Sequence, residues 1–412
     1  MSHFGDLLGE DWASGAGAAQ EELGEPHGSP FLGRAGRPLA SRLSPLGRLV
    51  VTANGNLQRV VSSWTNLAVS VVVLRNERLE EGGADAGQAD EAAVGAPARV
   101  EPLRFARRVH LECGSRCFAV AESVVTLRSA ELIAAVSSGA VGIGQLFRQF
   151  DLLPAFELRR VALVAGRALP LGVGAAVAPA SSPPAAGELI ERDYSLRAWG
   201  IECDISEWID LSQLPVPPPP PAGEPLEHRQ QQQEQQQAQQ QPQLEQDTPA
   251  AGHFGDVMSG TRTVVTLSDA WMTPLERVLS TANGNVQRVL SSALNCPVRV
   301  VVEEPGRVVG ERDGSRVLER AVRIVGPGGI TLCEARSEVS VRGAALERLA
   351  ASEVEVGALF GRPGERGATL PRFTLESVRR CAQGGLERSY RLAAPAACVR
   401  VSERFSSAVF EP

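Results

Sequence analysis

The chain has 412 residues, of which 43% are hydrophobic, and it carries a formal net charge of -7. This length leaves room for two or three domains with a core in each. Because the net charge is negative, the overall charge of the protein does not attract it to nucleic acid or to an acidic membrane surface. All 41 basic residues are Arg, so a single Arg is a weaker sign of function here than in most proteins.

The first 43 residues are rich in Gly, Ala and Pro, which predicts an irregular leader. The opening MSHFGDLLGEDW carries acidic residues and no apolar core, and so is not a secretory signal. No apolar run reaches the roughly 18 to 20 residues that a membrane span needs. We therefore expect a cytoplasmic protein without a membrane span. The Arg-rich, acid-free stretch from Ser29 to Val50 leaves an organellar address open.

An internal repeat follows the leader. The segment from Ser44 to Val73 aligns without a gap with the segment from Thr273 to Val302, and 18 of the 30 residues are identical. Such agreement within one chain indicates a duplicated unit. A Pro- and Gln-rich tract, which cannot bury enough apolar surface to fold, separates the copies. We predict a leader at 1–43, a first repeat at 44–214, a linker at 215–252, and a second repeat with its own leader at 253–412.

Each repeat begins with two short apolar-periodic segments around a Thr-Ala-Asn-Gly-Asn turn. Gly55 and Gly284 suit the left-handed residue that ends a helix, and Asn56 and Asn285 are good N-caps for the next helix. A β-branched run follows, at 69–74 in the first copy and 298–302 in the second. This pattern predicts a helix-turn-helix followed by a strand.

The rest of each repeat alternates like antiparallel strands. An acidic insertion at 80–98 is expected to be a solvated loop. Beyond it both copies show a hairpin, a helical segment ending in Gly-x-Leu-Phe, and two further strand-like runs. Five or six mostly antiparallel strands with inserted helices predict an α+β fold.

Both copies share two Arg and one Glu beside or within strands: Arg107, Arg192 and Glu207 in the first, and Arg320, Arg388 and Glu403 in the second. A guanidinium binds a carboxylate bidentately, and a partly buried carboxyl group can accept or donate a hydrogen bond. The set would suit a small ligand with carboxylates at one end and a hydroxyl or ether at the other. A surface Arg-Glu ladder without function is the alternative.

Several chemistries lack a sequence signal. The chain has no phosphate-binding glycine loop, no Ser-His-Asp order and no HExxH motif. Apart from His253 in its leader, the second repeat has no His, so chemistry shared by both copies must run without imidazole. Cys113 and Cys117 are the only close Cys pair, and we expect neither a metal site nor a cofactor.

The order of the motifs resembles that of the chorismate pyruvate-lyase family and its archaeal relatives. It runs from the Thr-Ala-Asn-Gly-Asn turn through an Arg-x-Val strand, an Ala-x-Ser strand and Gly-x-Leu-Phe to Arg-x-Tyr-x-Leu, with a Glu fifteen residues after that Arg. The resemblance covers about 44–210 and 272–410. It implies two tandem antiparallel sheets, each with helices on one face and a buried pocket under helix-turn-helix flaps.

The resemblance also implies a reaction, the removal of pyruvate from chorismate to leave 4-hydroxybenzoate. Arg107 and Arg320 would hold a carboxylate, and Glu207 and Glu403 would meet the oxygen at the opposite ring position. The pocket would be lined by residues of the Gly-x-Leu-Phe motif, namely Gly144, Leu146, Gly357 and Leu359. Ring aromatisation drives the elimination, so the site has mainly to bind, orient and manage one proton.

Two other interpretations remain. The tandem arrangement, the acidic insertion and the loop at 166–187 depart from the simple enzyme, and remote relatives of the fold sense effectors. The chain is therefore alternatively a non-catalytic ligand-binding or interaction module, with intramolecular pairing of the repeats open. A DNA-reading role is disfavoured, because the second helix offers only Arg59 or Arg288 as a basic residue, and we expect no nucleic-acid partner.

Overall fold

The computed structural model describes residues 39–80, 101–138, 142–165, 167–171, 188–216, 263–264, 272–352, 356–381 and 384–410. Within them the protein is a mixed α+β structure with two similar six-stranded antiparallel sheets, one in each repeat. This confirms the predicted α+β class with antiparallel sheets and is consistent with a tandem duplication, while the lyase-like fold stays a prediction. The predicted leaders, the acidic insertion and the linker lie almost wholly outside the described residues.

The first repeat contains four α-helices and six strands in its described part. They are α1 (Pro45–Val51), α2 (Leu57–Thr65), β1 (Val69–Leu79), β2 (Leu103–Cys113), β3 (Arg116–Leu127), α3 (Ala130–Ser137), α4 (Ile143–Gln149), β4 (Ala155–Ala165), β5 (Glu188–Ala198) and β6 (Ile201–Ile209). A 3₁₀ helix at Leu211–Gln213 follows. The strands are ordered β1-β2-β3-β6-β5-β4, and each neighbouring pair is antiparallel.

The second repeat follows the same plan. Its elements are β7 (Thr263–Val264), α5 (Pro274–Thr281), α6 (Val286–Leu294), β8 (Arg299–Arg312), β9 (Ser315–Val325), β10 (Thr331–Val341), α7 (Ala344–Ala350), β11 (Arg372–Arg380), β12 (Leu386–Ala394) and β13 (Ala397–Phe405). Three 3₁₀ segments lie at Pro327–Gly329, Val356–Phe360 and Ser407–Val409. The order β8-β9-β10-β13-β12-β11 repeats that of the first sheet, and the two-residue β7 adds a parallel edge.

The helix pairs form at the predicted turn. Ser44 caps α1 and Thr273 caps α5 by accepting from backbone amides, and a Pro stands at the start of both helices. Gly55 and Gly284 have the predicted left-handed conformation, with φ of 79° and 87°. The prediction that the side chains of Asn56 and Asn285 cap the following helices is wrong. They precede α2 and α6, but no side-chain cap hydrogen bond forms, because their backbone is not in the extended region that aims a cap side chain at the helix.

The edge strands β1 and β8 are longer than predicted. The β-branched runs end near 74 and 302, whereas the strands continue to Leu79 and Arg312. The added residues are mostly polar and exposed, which an edge strand tolerates because one of its sides has no neighbouring strand. Central strands such as β6 and β13 alternate between buried and more exposed residues, so one face of each sheet packs against the core.

The core is continuous between the repeats. One cluster of buried apolar side chains contains residues of α1 and α2 together with residues of α5 and α6. A second cluster lies between the first sheet and the helices α3 and α4. The helix pairs therefore pack on each other as well as on their own sheets.

Candidate functional site

The predicted arginines occupy the same register position in both sheets. Arg107 on β2 is paired with Ser123 on β3, and from there the row continues across β6 to Tyr194 on β5. The equivalent row of the second repeat contains Arg320, Ser337, Val401 and Tyr390. Both arginines are deeply buried, at 2% and 3% exposure. The duplicated unit thus keeps a buried cation at one fixed place on each sheet.

The predicted glutamates lie one row away on the same face. Glu207 on β6 is paired with Ala121 on β3 and with Arg192 on β5. Because side chains two residues apart point to the same face, Glu207 and Arg107 share the buried side of the sheet. They are separated by strand β3 and by two residues along the strands, so the two backbone positions lie about 12 Å apart, from the usual strand geometry. Glu403 and Arg320 have the same relation.

Each glutamate is held by an arginine and a tyrosine. Oε2 of Glu207 accepts from Nε of Arg192 at 2.7 Å, and Oε1 accepts from the hydroxyl of Tyr194 at 2.7 Å. In the second repeat Glu403 accepts from Arg388 at 2.6 Å and from Tyr390 at 2.9 Å. Burial, followed by the neighbouring carboxylate, raises the pKa of both tyrosines well above the usual value. The hydroxyls therefore stay protonated and remain donors at neutral pH.

Arg192 and Arg388 also anchor the helix pairs. Nη1 of Arg192 donates to the carbonyl oxygens of Val50, Val51 and Ala53, at 2.7 to 2.9 Å. Arg388 does the same for the end of α5, through the carbonyls of Leu279, Ser280 and Ala282. A cation suits these carbonyls because the last turn of a helix leaves them without intrahelical partners. Both residues were predicted as ligand contacts, and in the structure they hold the helix-turn-helix to the sheet.

Arg107 and Arg320 stand in a different environment. Burial lowers the pKa of both guanidinium groups. A buried guanidinium can bind a carboxylate, which accepts two parallel hydrogen bonds from it. These two residues are therefore the anion-binding candidates of the two sheets.

The Gly-x-Leu-Phe motifs approach the sheets differently in the two copies. Leu146 on α4 is fully buried and packs in one cluster with Tyr194 and Leu196 of β5. Gly144 lies against the Asn-Gly turn, where an added Cβ would stand 2.8 Å from the carbonyl oxygen of Gly55. In the second repeat Leu359 is buried at 6% exposure, but nothing lies within 4 Å of a Cβ added to Gly357.

This difference gives a matched pair of substitutions. We expect Gly144→Ala to lower the free energy of unfolding by about 1 to 3 kcal/mol, because the methyl group would push α4 away from the turn. Gly357→Ala should change it by less than about 0.5 kcal/mol, because its Cβ meets open space. Urea unfolding of the two full-length variants measures both values. Equal effects would contradict the close packing at Gly144.

The helix pairs contact each other across the repeats through mirrored hydrogen bonds. Arg48 on α1 donates to the carbonyl oxygens of Ser292 and Ala293, at 2.7 and 2.6 Å. Arg277 on α5, its equivalent 229 residues later, donates to those of Ser63 and Trp64, at 2.8 and 2.7 Å. Each repeat thus offers the same donor and the same acceptors, as in an interface with a two-fold axis.

Two hydroxyl pairs follow the same symmetry. Thr52 meets the hydroxyl of Ser292 at 2.8 Å, and Thr281 meets that of Ser63 at 2.7 Å. All four residues are at least 98% buried. The Thr-Ala-Asn-Gly-Asn turn therefore takes part in the contact between the repeats, and a role as a flap over a pocket stays a prediction.

Sequence reasoning missed several of these residues. Tyr194 and Tyr390 are the only two tyrosines in the chain, and both bind the buried glutamate of their repeat. Their equivalent placement was a usable signal. Arg48 and Arg277 are also identical in the two copies, but their acceptors are backbone carbonyls, which leave no side-chain signature in a sequence.

Metal sites and membrane-spanning helices were considered among the described residues. They contain no group of three His, Cys, Asp or Glu side chains placed to hold a metal ion. None of their helices is both long and apolar enough to cross a membrane. Comparison with protein-family models finds no match for this chain, and comparison with curated proteins finds none either.

Proposed function

We propose that each repeat binds a small carboxylated ring on the buried face of its sheet, with Arg107 or Arg320 holding the carboxylate. The observation that carries the proposal is the recurrence of a deeply buried arginine at one register position, beside a buried Glu-Tyr-Arg cluster, in both repeats. A guanidinium can bind a carboxylate through two parallel hydrogen bonds, which is the contact that the proposal assigns to these two arginines.

Chorismate is the ligand that the motif order suggests, and pyruvate elimination is the enzymatic form of the proposal. Arg107 would fix the ring carboxylate, and the cluster around Glu207 would meet the oxygen on the far side of the ring. The separation of about 12 Å between the two strand positions suits one ring between long side chains. The protonated Tyr194 gives that cluster a donor as well as acceptors.

Binding is tested by titrating the full-length protein with 4-hydroxybenzoate and with chorismate. We expect the double variant Arg107→Gln, Arg320→Gln to bind at least about tenfold more weakly, because a hydrogen bond to a charged group contributes about 1.5 to 3 kcal/mol. Arg108→Gln is the matched control. It removes the neighbouring cation on β2, which pairs with Glu122 on the other face of the sheet.

Equal affinity of the double variant and the control would contradict the assignment of the arginines. Turnover is measured in the same samples as release of pyruvate and 4-hydroxybenzoate. If these products are released no faster than in the spontaneous reaction, the proposed lyase activity is wrong and only the proposed ligand binding remains.

A second candidate function is that of an interaction module whose two repeats pair within one chain. The mirrored bonds of Arg48 and Arg277 favour it, because they use the most similar segment of the duplication. In this role each helix pair is the docking surface for the other repeat, and the Glu-Tyr-Arg cluster of each sheet holds its helix pair in place. Separation of the repeats, described in the Discussion, tests it.

A further inference from the structure

The two proposed sites differ at the edge strand next to the buried arginine. In the first repeat, Asn76 on β1 is paired with Arg107 on β2. Its Nδ2 donates to the carbonyl oxygen of Val136 on α3 at 2.8 Å. An amide side chain therefore fills the space between the edge strand and the helix that covers it.

On the described strand β8 of the second repeat, backbone takes the place of this amide side chain. Strand β8 has register shifts between Glu304 and Arg307, and its Gly306 lies directly against α7. A Cβ added to Gly306 would stand 2.1 Å from the carbonyl oxygen of Ala350. Ala350 is the seventh residue of α7, as Val136 is of α3. The equivalent carbonyl oxygens thus meet a side-chain amide in the first repeat and the backbone of the edge strand in the second, so β8 lies closer to α7 than β1 does to α3.

Asn76 can also accept a hydrogen bond, through its side-chain oxygen Oδ1. Its bond to Val136 fixes which end of the amide is the donor, and its Oδ1 is buried without a hydrogen-bond partner among the described residues. A buried acceptor left unsatisfied is unfavourable, so a donor on a ligand would be favoured there. Ser123, on the other side of Arg107 in the register, adds a buried hydroxyl. The cation of Arg107 therefore lies between two polar side chains, Asn76 and Ser123, that can form hydrogen bonds with a hydroxyl of a bound ligand.

We propose that the first repeat selects a hydroxy-carboxylate, with the carboxylate on Arg107 and the hydroxyl donating to Oδ1 of Asn76. In the described part of β8 the second repeat has Gly306 and register shifts instead of this amide, so it binds such a ligand more weakly. The inference rests on the proposed function, in which Arg107 holds a carboxylate. It assigns Asn76 as the residue that determines specificity and makes the two sites unequal.

Two acids that differ by one hydroxyl test this directly. Mandelate carries a hydroxyl beside its carboxylate, and phenylacetate is the same molecule without it. We expect the full-length protein to bind mandelate about tenfold more tightly, the effect of one well-placed hydrogen bond. Asn76→Leu, which keeps the number of side-chain heavy atoms and the branching at Cγ, should remove this preference and leave the affinity for phenylacetate within about twofold.

The unmodified protein gives a second readout that does not depend on the folding of a variant. A calorimetric titration with mandelate should show two classes of site, or one bound mandelate per chain. Two equal sites would overturn the inference, as would a preference for mandelate that survives Asn76→Leu. If both acids bind with equal affinity, the inference fails while the proposed function stands. If neither acid binds while 4-hydroxybenzoate does, the inference fails and the proposed function stands; if 4-hydroxybenzoate and chorismate do not bind either, both fail.

Discussion

Replacing Arg192 with Ala should lower the free energy of unfolding by roughly 3 to 5 kcal/mol, because it leaves the buried carboxylate of Glu207 without its cation. The same substitution takes the donor away from three carbonyl oxygens at the end of α1. Urea unfolding of the full-length protein, followed by circular dichroism, measures the loss. Arg388→Ala should behave alike in the second repeat, because its contacts are equivalent.

Arg160→Ala is the matched control for this prediction. Arg160 lies on the neighbouring strand β4 and forms ion pairs with Glu191 and Asp193, but its side chain is 58% exposed. An exposed pair of this kind contributes about 0 to 1 kcal/mol. Arg192→Lys separates charge from geometry, since a lysine keeps the cation but cannot reach the carboxylate and three carbonyls together. If Arg192→Ala were no more destabilising than the control, the cluster would not be what holds the helix pair.

The double variant Arg48→Ala, Arg277→Ala should separate the repeats. It removes four hydrogen bonds between a charged donor and backbone carbonyls of the opposite repeat. The carbonyls would then be left in a buried interface, so we expect the repeats to associate at least about a hundredfold more weakly. The measurement uses the full-length chain with a protease site inserted between residues 217 and 252. After cleavage, size-exclusion chromatography shows whether the halves stay together.

The control for separation is Arg159→Ala, Arg379→Ala, which removes the same charge from exposed positions on β4 and β11. Cleaved protein carrying the control, like unmodified cleaved protein, should elute as one particle, whereas the double variant should elute as two. Co-elution of the halves of the double variant at micromolar concentration would count against the helix pairs as the contact between repeats.

Much of the fold could be predicted because its signals are local or repeated. The identity of 18 of 30 aligned residues established the duplication, and alternation along the strands predicted antiparallel hairpins. Alignment of the two copies also placed Arg107 and Arg320 where the structure has them, on strands and at equivalent positions. Their burial could not be predicted, because the same Arg and Glu pattern fits an exposed ladder equally well.

The roles within the candidate site needed the structure. Sequence reasoning treated Glu207 and Arg192 as separate ligand contacts, and they form one buried pair with Tyr194. The resemblance assigned Gly144 and Gly357 to the same role, and only Gly144 packs against the helical turn. Such differences depend on how closely two backbones approach, which the residue type alone does not report.

The sequence by itself determined that the chain is a duplicated α+β protein whose most similar segments are the two helix-turn-helix stretches. Only the tertiary structure decided what those helices contact. Their apolar stripes and identical arginines show that a face is buried but not which surface buries it. The deciding bonds join residues more than 200 positions apart, such as Arg48 and Ser292, and end on backbone carbonyls that every residue carries. Contacts of that kind exist only once the chain has folded and the two repeats have met.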